Sequence, residues 1–203
     1  MEETLNCMNK VRYNGFTLIE LMIALLVVGI LLLVAAPAMV DLIKDNRMLS
    51  QVYAMRASLN KARSKALSER TFVTFCRSND GANCGNPASV GWNEGYIAFT
   101  DDNGDGVVND PNDPDGDSIV VSEIREVPSL TLTYRDTASL ATDVARVRFN
   151  SQGYATGFDG TFSICDDRGD DEARGLIVSP VGSVRAAVVD PNDPGSDNLA
   201  SCP

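Results

Sequence analysis

Polar and apolar positions divide the chain into two regimes. Residues 21–40 carry no charged side chain. As a helix, such a run rises about 30 Å, the thickness of a bilayer's hydrocarbon core. Beyond it, Leu42, Leu49, Val52, Leu59, Ala62 and Ala66 recur at helical spacing. Asp45, Arg47, Arg56, Lys61, Arg63 and Lys65 lie between them. That pattern predicts an amphipathic continuation with one face for a globular domain. One helix over 16–68, roughly 80 Å long at 1.5 Å per residue, accounts for both stretches. Pro37 lacks a backbone donor, so a kink or loosened turn is expected there.

From residue 71 the texture changes to short apolar runs separated by Gly, Asn, Asp and Pro. Strands are predicted over 71–77, 95–100, 119–127, 130–134, 145–150, 161–165, 175–178 and 184–189. Short strands with frequent turn residues favour antiparallel pairing. The predicted class is α+β: a long N-terminal helix, apolar then amphipathic, packed on an antiparallel β-sheet domain.

The apolar run is too long for the core of a secretory signal peptide, and helix-forming residues follow it without a break, so it reads as retained. Lys10 and Arg12 just before it favour a cytoplasmic N-terminus with the bulk of the chain outside. Glu2 and Glu3 dilute this preference but weigh less than basic residues. Glu20 is the exception in an apolar setting, because a lone carboxylate costs several kcal/mol in lipid. One reading is an interfacial Glu at a helix start, favoured by the helix dipole. The other supplies a cation at the same depth: cleavage after Gly15 would create an α-amino group on Phe16, about one turn from Glu20. The Glu20 of one subunit would then pair with the Phe16 amine of its neighbour.

The run Gly15-Phe16-Thr17-Leu18-Ile19-Glu20-Leu21-Met22, with its basic leader, resembles the class III signal of type IV pilins and type II secretion pseudopilins. That resemblance implies a prepilin peptidase that cuts after Gly15 and N-methylates Phe16. It also implies a short leader, which points to Met8 as the start and leaves Cys7 unmade. Further on, Gly91-Trp92-Asn93-Glu94-Gly95-Tyr96-Ile97-Ala98-Phe99, Ile164-Cys165-Asp166-Asp167-Arg168-Gly169 and the run from Arg174 to Arg185 resemble the GspH/FimT branch of minor pilins and pseudopilins. The implied organisation is a cleaved leader over 1–15 and a membrane and filament-core helix over 16–40. An amphipathic helix over 41–70, a β-rich pilin domain over 71–189 and an acidic tail over 190–203 follow. The implied role is a structural subunit that helps initiate or cap a type IV pilus, or the corresponding type II secretion pseudopilin. Its implied partners are other pilins or pseudopilins, an inner-membrane assembly platform and the prepilin peptidase. Its implied place is the bacterial inner membrane, with the globular domain periplasmic, and then the filament.

Composition narrows the alternatives. The 203 residues carry a formal charge of −11 and no histidine. The commonest general base and metal ligand is therefore missing, and no Ser-His-Asp or Cys-His arrangement exists. An enzyme would have to draw on Asp166, Asp167, Asp170, Asp171 and Glu172, which read better as an ion-paired turn around Arg168. DNA binding, known in the FimT branch, would rest on Arg174 and Arg185 beside the acidic Asp190, Asp193 and Asp197, a weak phosphate site. Four cysteines follow the apolar run, an even number that fits two disulfides in an exported domain. With the family resemblance, Cys76 with Cys84 would close a small loop and Cys165 with Cys202 would staple the tail.

Asp101-x-Asn103-x-Asp105-Gly106 matches the first half of a calcium loop. The second half fails, since position twelve is Asn112. Two readings stay open. One is a Ca2+ site that recruits Asp110, Asp113, Asp115 or Asp117. The other is a turn favoured by Asp, Asn and Gly on their own. Asp110-Pro111-Asn112-Asp113-Pro114 is echoed at 190–194, too briefly for a structural repeat.

Overall fold

The computed structural model describes residues 15–108, 116–124, 127, 129–137, 146–187 and 202. The leader over 1–14 with Cys7 and Met8, the acids Asp110, Asp113 and Asp115, and the tail apart from Cys202 lie outside them. Contacts divide the chain into two units, Met1–Ile43 and Lys44–Pro203.

Helix α1 spans Leu18–Glu69. In the first unit its large apolar side chains stand exposed, from Leu18 at 77% through Leu26 at 63% to Leu33 at 79%. No single helix among the described residues is long and apolar enough to cross a membrane. The segments Leu18–Leu33 and Ala38–Glu69, taken together across a break, are so by length and composition. Residues 34–37 form that break and include Pro37, where the sequence expects a loosened turn. At the far end Arg70 takes a left-handed φ of 56° and stops the helix.

In the second unit α1 buries Met48, Val52, Met55, Leu59, Ala62 and Ala66. This stripe departs from the expected one. Leu49 is 37% exposed and Leu42, in the first unit, is 55% exposed, while Met48 and Met55 take their place. At about 100° per residue, Leu49 and Leu42 point about 100° and 120° away from the centre of the buried stripe. The apolar pattern had admitted residues from two faces.

Against this stripe lie eight strands among the described residues: β1 Val73–Arg77, β2 Gly95–Thr100, β3 Ile119–Ile124, β4 Thr131–Asp136, β5 Arg146–Phe149, β6 Gly160–Cys165, β7 Arg174–Val178 and β8 Val184–Ala186. All pairings are antiparallel and form two sheets, ordered β3-β2-β1-β5 and β4-β6-β7-β8. The sheets are interleaved in sequence. After β3 the chain crosses to the second sheet for β4, returns for β5 beside β1, then crosses again for β6 to β8. Neither sheet is complete until the other has been started, so the two form one cooperative body.

Trp92 joins them. Its ring stacks on Phe75 of the first sheet at 5.8 Å and meets Tyr134 and Phe162 of the second edge-on at 6.2 and 5.1 Å. Such aromatic pairs contribute about 0.5–1.5 kcal/mol each beyond the area they bury. The guanidinium of Arg77, only 1% exposed, stands 5.3 Å over the indole and donates to the carbonyl of Val90 at 3.2 Å. Disulfides Cys76–Cys84 and Cys165–Cys202 close loops at the end of β1 and after β6. For bridges of these separations the chain-entropy cost removed from the unfolded state is about 2–4 kcal/mol each.

Cations flanking the buried stripe tie α1 to the loops. Lys44 pairs with Asp167 at 2.8 Å, and Arg63 donates to the carbonyls of Gly153 at 3.0 Å and Val181 at 2.9 Å. Arg168 pairs with Asp45 and with Asp166, each at 2.8 Å. Burial pushes the Asp166 carboxyl up. Hydrogen bonds from the Arg168 side chain and backbone, with the charges of Arg168 and Lys44, outweigh that and hold its pKa below the ordinary 3.8.

Two measurements check this packing. Leu59→Ala is expected to lower unfolding free energy in denaturant by about 2–5 kcal/mol, against about 0.5 kcal/mol or less for Leu49→Ala. Equal losses would contradict the assigned stripe. For Asp166, the unfolded chain takes up a proton at higher pH than the folded one. Its contribution is therefore complete above the unfolded value of about 3.8 and fades as pH falls below it. Asp166→Asn should flatten stability against pH in that acid window; a slope as steep as that of the natural chain would remove Asp166 as its source.

Candidate functional site

The start of α1 gathers the residues singled out for processing and assembly. Gly15, Phe16 and Thr17 precede the helix, and all residues from Gly15 to Glu20 are exposed, Phe16 by 83%. The Gly15–Phe16 bond lies outside the helix.

Glu20 occupies the first turn. Its backbone N–H donates to Oγ1 of Thr17 at 3.3 Å, and the Leu21 N–H donates to the Thr17 carbonyl at 3.2 Å. Thr17 is therefore the N-cap and Glu20 the third helical residue. Thr17-Leu18-Ile19-Glu20 has the S/T-x-x-E spacing of a capping box, of which the Thr17 half is made. The spacing is readable in the sequence itself. A carboxylate here gains about 0.3–1 kcal/mol from the helix dipole at an exposed site, less than its cost in hydrocarbon. Among the described residues no cation pairs with Glu20.

The calcium-like loop is held by hydrogen bonds within it and from Thr74, Arg146 and Arg148. Asp101, 0% exposed, accepts from Oγ1 of Thr74 and from the Gly106 N–H at 3.3 Å. Asn103 accepts from the Asp105 N–H at 3.0 Å, and Asp105 from the Val107 N–H at 2.7 Å. Arg146 and Arg148 donate to the carbonyls of Asp105 and Gly104. Gly104 and Gly106 hold φ of 73° and 77°, the left-handed turn that glycine permits. Among the described residues no group of three acidic or cysteine side chains is placed to hold a metal ion.

The two arginines raised for DNA binding do not form one patch. Arg185 lies opposite Ile177 in the β7–β8 register, three residues along β7 from Arg174. An odd separation puts Arg174 on the other face of the sheet, with Leu176. The acids after β6 are likewise engaged: Asp166 and Asp167 in the ion pairs above, and Asp170 as acceptor from the Cys202 N–H.

Comparison with known proteins places these features in a family. The model described as Type II transport protein GspH matches residues 51–182, and the prokaryotic N-terminal methylation motif matches residues 10–36. Comparison with curated proteins gives no match. Among solved structures, the type IV minor pilin FimU of Pseudomonas aeruginosa PAO1 is 22% identical, with 75% of this chain and 96% of that one aligned at a TM-score of 0.48. A second crystal form of FimU, also 22% identical, aligns over 68% of this chain and 90% of its own at 0.45. The minor pseudopilin EpsH of the Vibrio cholerae type 2 secretion system is 14% identical, with coverages of 72% and 98% and a TM-score of 0.42. With its family model spanning more than half of the sequence and the methylation motif lying across the helix start, the chain belongs to the GspH family of pilin-like proteins.

Proposed function

We propose that this chain is a minor pilin of a type IV pilus, a structural subunit that helps initiate or cap filament assembly. The observation that carries the reading is the first unit: a helix whose large apolar side chains stand exposed among the described residues, with one carboxylate in its first turn and no cation beside it among them. Such a surface is stable in lipid or against like helices, not in water. The chain inserts in the inner membrane with its N-terminus cytoplasmic and its β-rich unit periplasmic. A prepilin peptidase cuts after Gly15 and methylates Phe16. The new amine of one subunit pairs with Glu20 of the next, and two unit charges about 4 Å apart attract by about 4 kcal/mol where the effective dielectric is near 20. That attraction offsets part of the cost of taking the two charges into the filament core.

A second reading, the corresponding pseudopilin of a type II secretion system, has the description of the family model in its favour. Deleting the gene separates the two: surface pili are lost in the first case, and secreted proteins accumulate in the periplasm in the second.

Glu20→Ala should leave membrane insertion intact and reduce recovery of the chain in sheared filaments at least tenfold, a factor that corresponds to about 1.4 kcal/mol. Glu20→Gln should behave alike, since it keeps shape and removes charge. Undiminished incorporation of both variants would overturn the pairing.

A further inference from the structure

The sheet β3-β2-β1-β5 buries both of its faces. Phe75, Val147 and Phe149 belong to the core that holds the helix stripe. On the reverse face Cys76, Ile97 and Phe99 form a second, smaller core with Val108 and Cys84. Val108 ends the calcium-like loop, so that loop covers the reverse face. In the β1–β5 register Arg146 stands opposite Cys76, and Arg148 opposite Thr74. Residues directly opposite share a face, so both arginines leave the edge strand on the side the loop covers.

The side-chain oxygens at motif positions 1, 3 and 5 of the loop all have protein donors. Asp101 accepts from the Thr74 hydroxyl on one oxygen and from the Gly106 N–H at 3.3 Å on the other. Asn103 accepts from the Asp105 N–H at 3.0 Å. Asp105 accepts from the Val107 N–H at 2.7 Å and, on its second oxygen, from the Asn103 side-chain N–H at 3.0 Å. Positive charge is in place as well. Nη1 of Arg146 donates to the Asp105 carbonyl at 2.8 Å, and Nη1 of Arg148 to the carbonyl of Gly104. The Arg148 guanidinium lies over the rings of Phe158 at 4.4 Å and Phe72 at 5.6 Å, contacts that fix its position. A side chain at 106 would collide with the Arg146 guanidinium, so glycine there makes room for the arginine as well as for the turn.

We infer that Arg146 and Arg148 do for this loop what a divalent ion does in a calcium loop, so that the loop neither needs nor takes calcium. An entering ion would have to displace N–H and O–H donors already bound to the oxygens it needs. It would also meet two guanidinium charges on neighbouring carbonyls. Cations built into β5 are not removed by dilution or by a chelator. The inference stands apart from the filament reading, because it concerns the folding of the second unit alone.

The test melts the full-length chain in detergent micelles, first in calcium and then in excess EGTA. Extracellular calcium modules bind at about 10⁻⁴–10⁻³ M, so about 10 mM calcium would fill such a site. Filling it would raise the midpoint by a few degrees through mass action. The expected result is one midpoint in both conditions; a rise in calcium that EGTA reverses would overturn the inference. Amide hydrogen exchange then tests the arginines. Arg146→Gln and Arg148→Gln should each speed exchange at Gly104 and Gly106 by at least about tenfold and leave β6 and β7 unchanged. Arg146→Gln, which leaves the ring contacts alone, keeps the test open should Arg148→Gln fail to fold. Exchange at both glycines as slow as in the natural chain would overturn the role given to the arginines.

Discussion

A carboxylate at the head of an apolar helix requires a cation, and the described part of this chain supplies none to Glu20. The helix dipole and the Thr17 cap make the position tolerable in water, but they fall short of the cost in hydrocarbon. On the proposed reading the balancing charge comes from an adjoining subunit. Processing at Gly15 would generate it on every copy, at the depth where the next copy needs it. On this account assembly is selective because an unprocessed chain brings a carboxylate without an amine.

The second unit answers a different demand. Its core is buried against the helix stripe, and two disulfides cross it. Interleaving of β4 and β5 between the two sheets makes folding of one sheet depend on the other. Trp92 spans both sheets, and Arg77 lies above its ring and donates to the Val90 carbonyl. The disulfides join Cys84 to the end of β1 and Cys202 to the end of β6. Lys44, Asp45 and Arg63 then join the helix flank to the loops by short polar contacts. Each is individually weak where exposed, but they sit at both ends of the buried stripe.

Much of this was readable from the sequence, and the failures have causes. All eight strands lie within a few residues of the expected spans, because Gly, Asn and Asp mark turns by backbone chemistry rather than by context. The helix was legible from its period, but its buried face was not. Leu49 has the spacing of a core residue while Met48, one position earlier, has the direction, and only the sheet it meets decides between them. The capping box at Thr17 was present as a motif and overlooked. The β-strand crossing between sheets left no trace, since pairing partners are set by tertiary closure. The opposite facing of Arg174 and Arg185 likewise depends on a register that no local pattern encodes.

Mass spectrometry of the chain purified from cells that hold the prepilin peptidase tests the account most directly. The account predicts an N-terminal peptide that begins at Phe16 and carries one added methyl group. A chain that keeps its leader, or begins at any other residue, would leave Glu20 without its partner and contradict it.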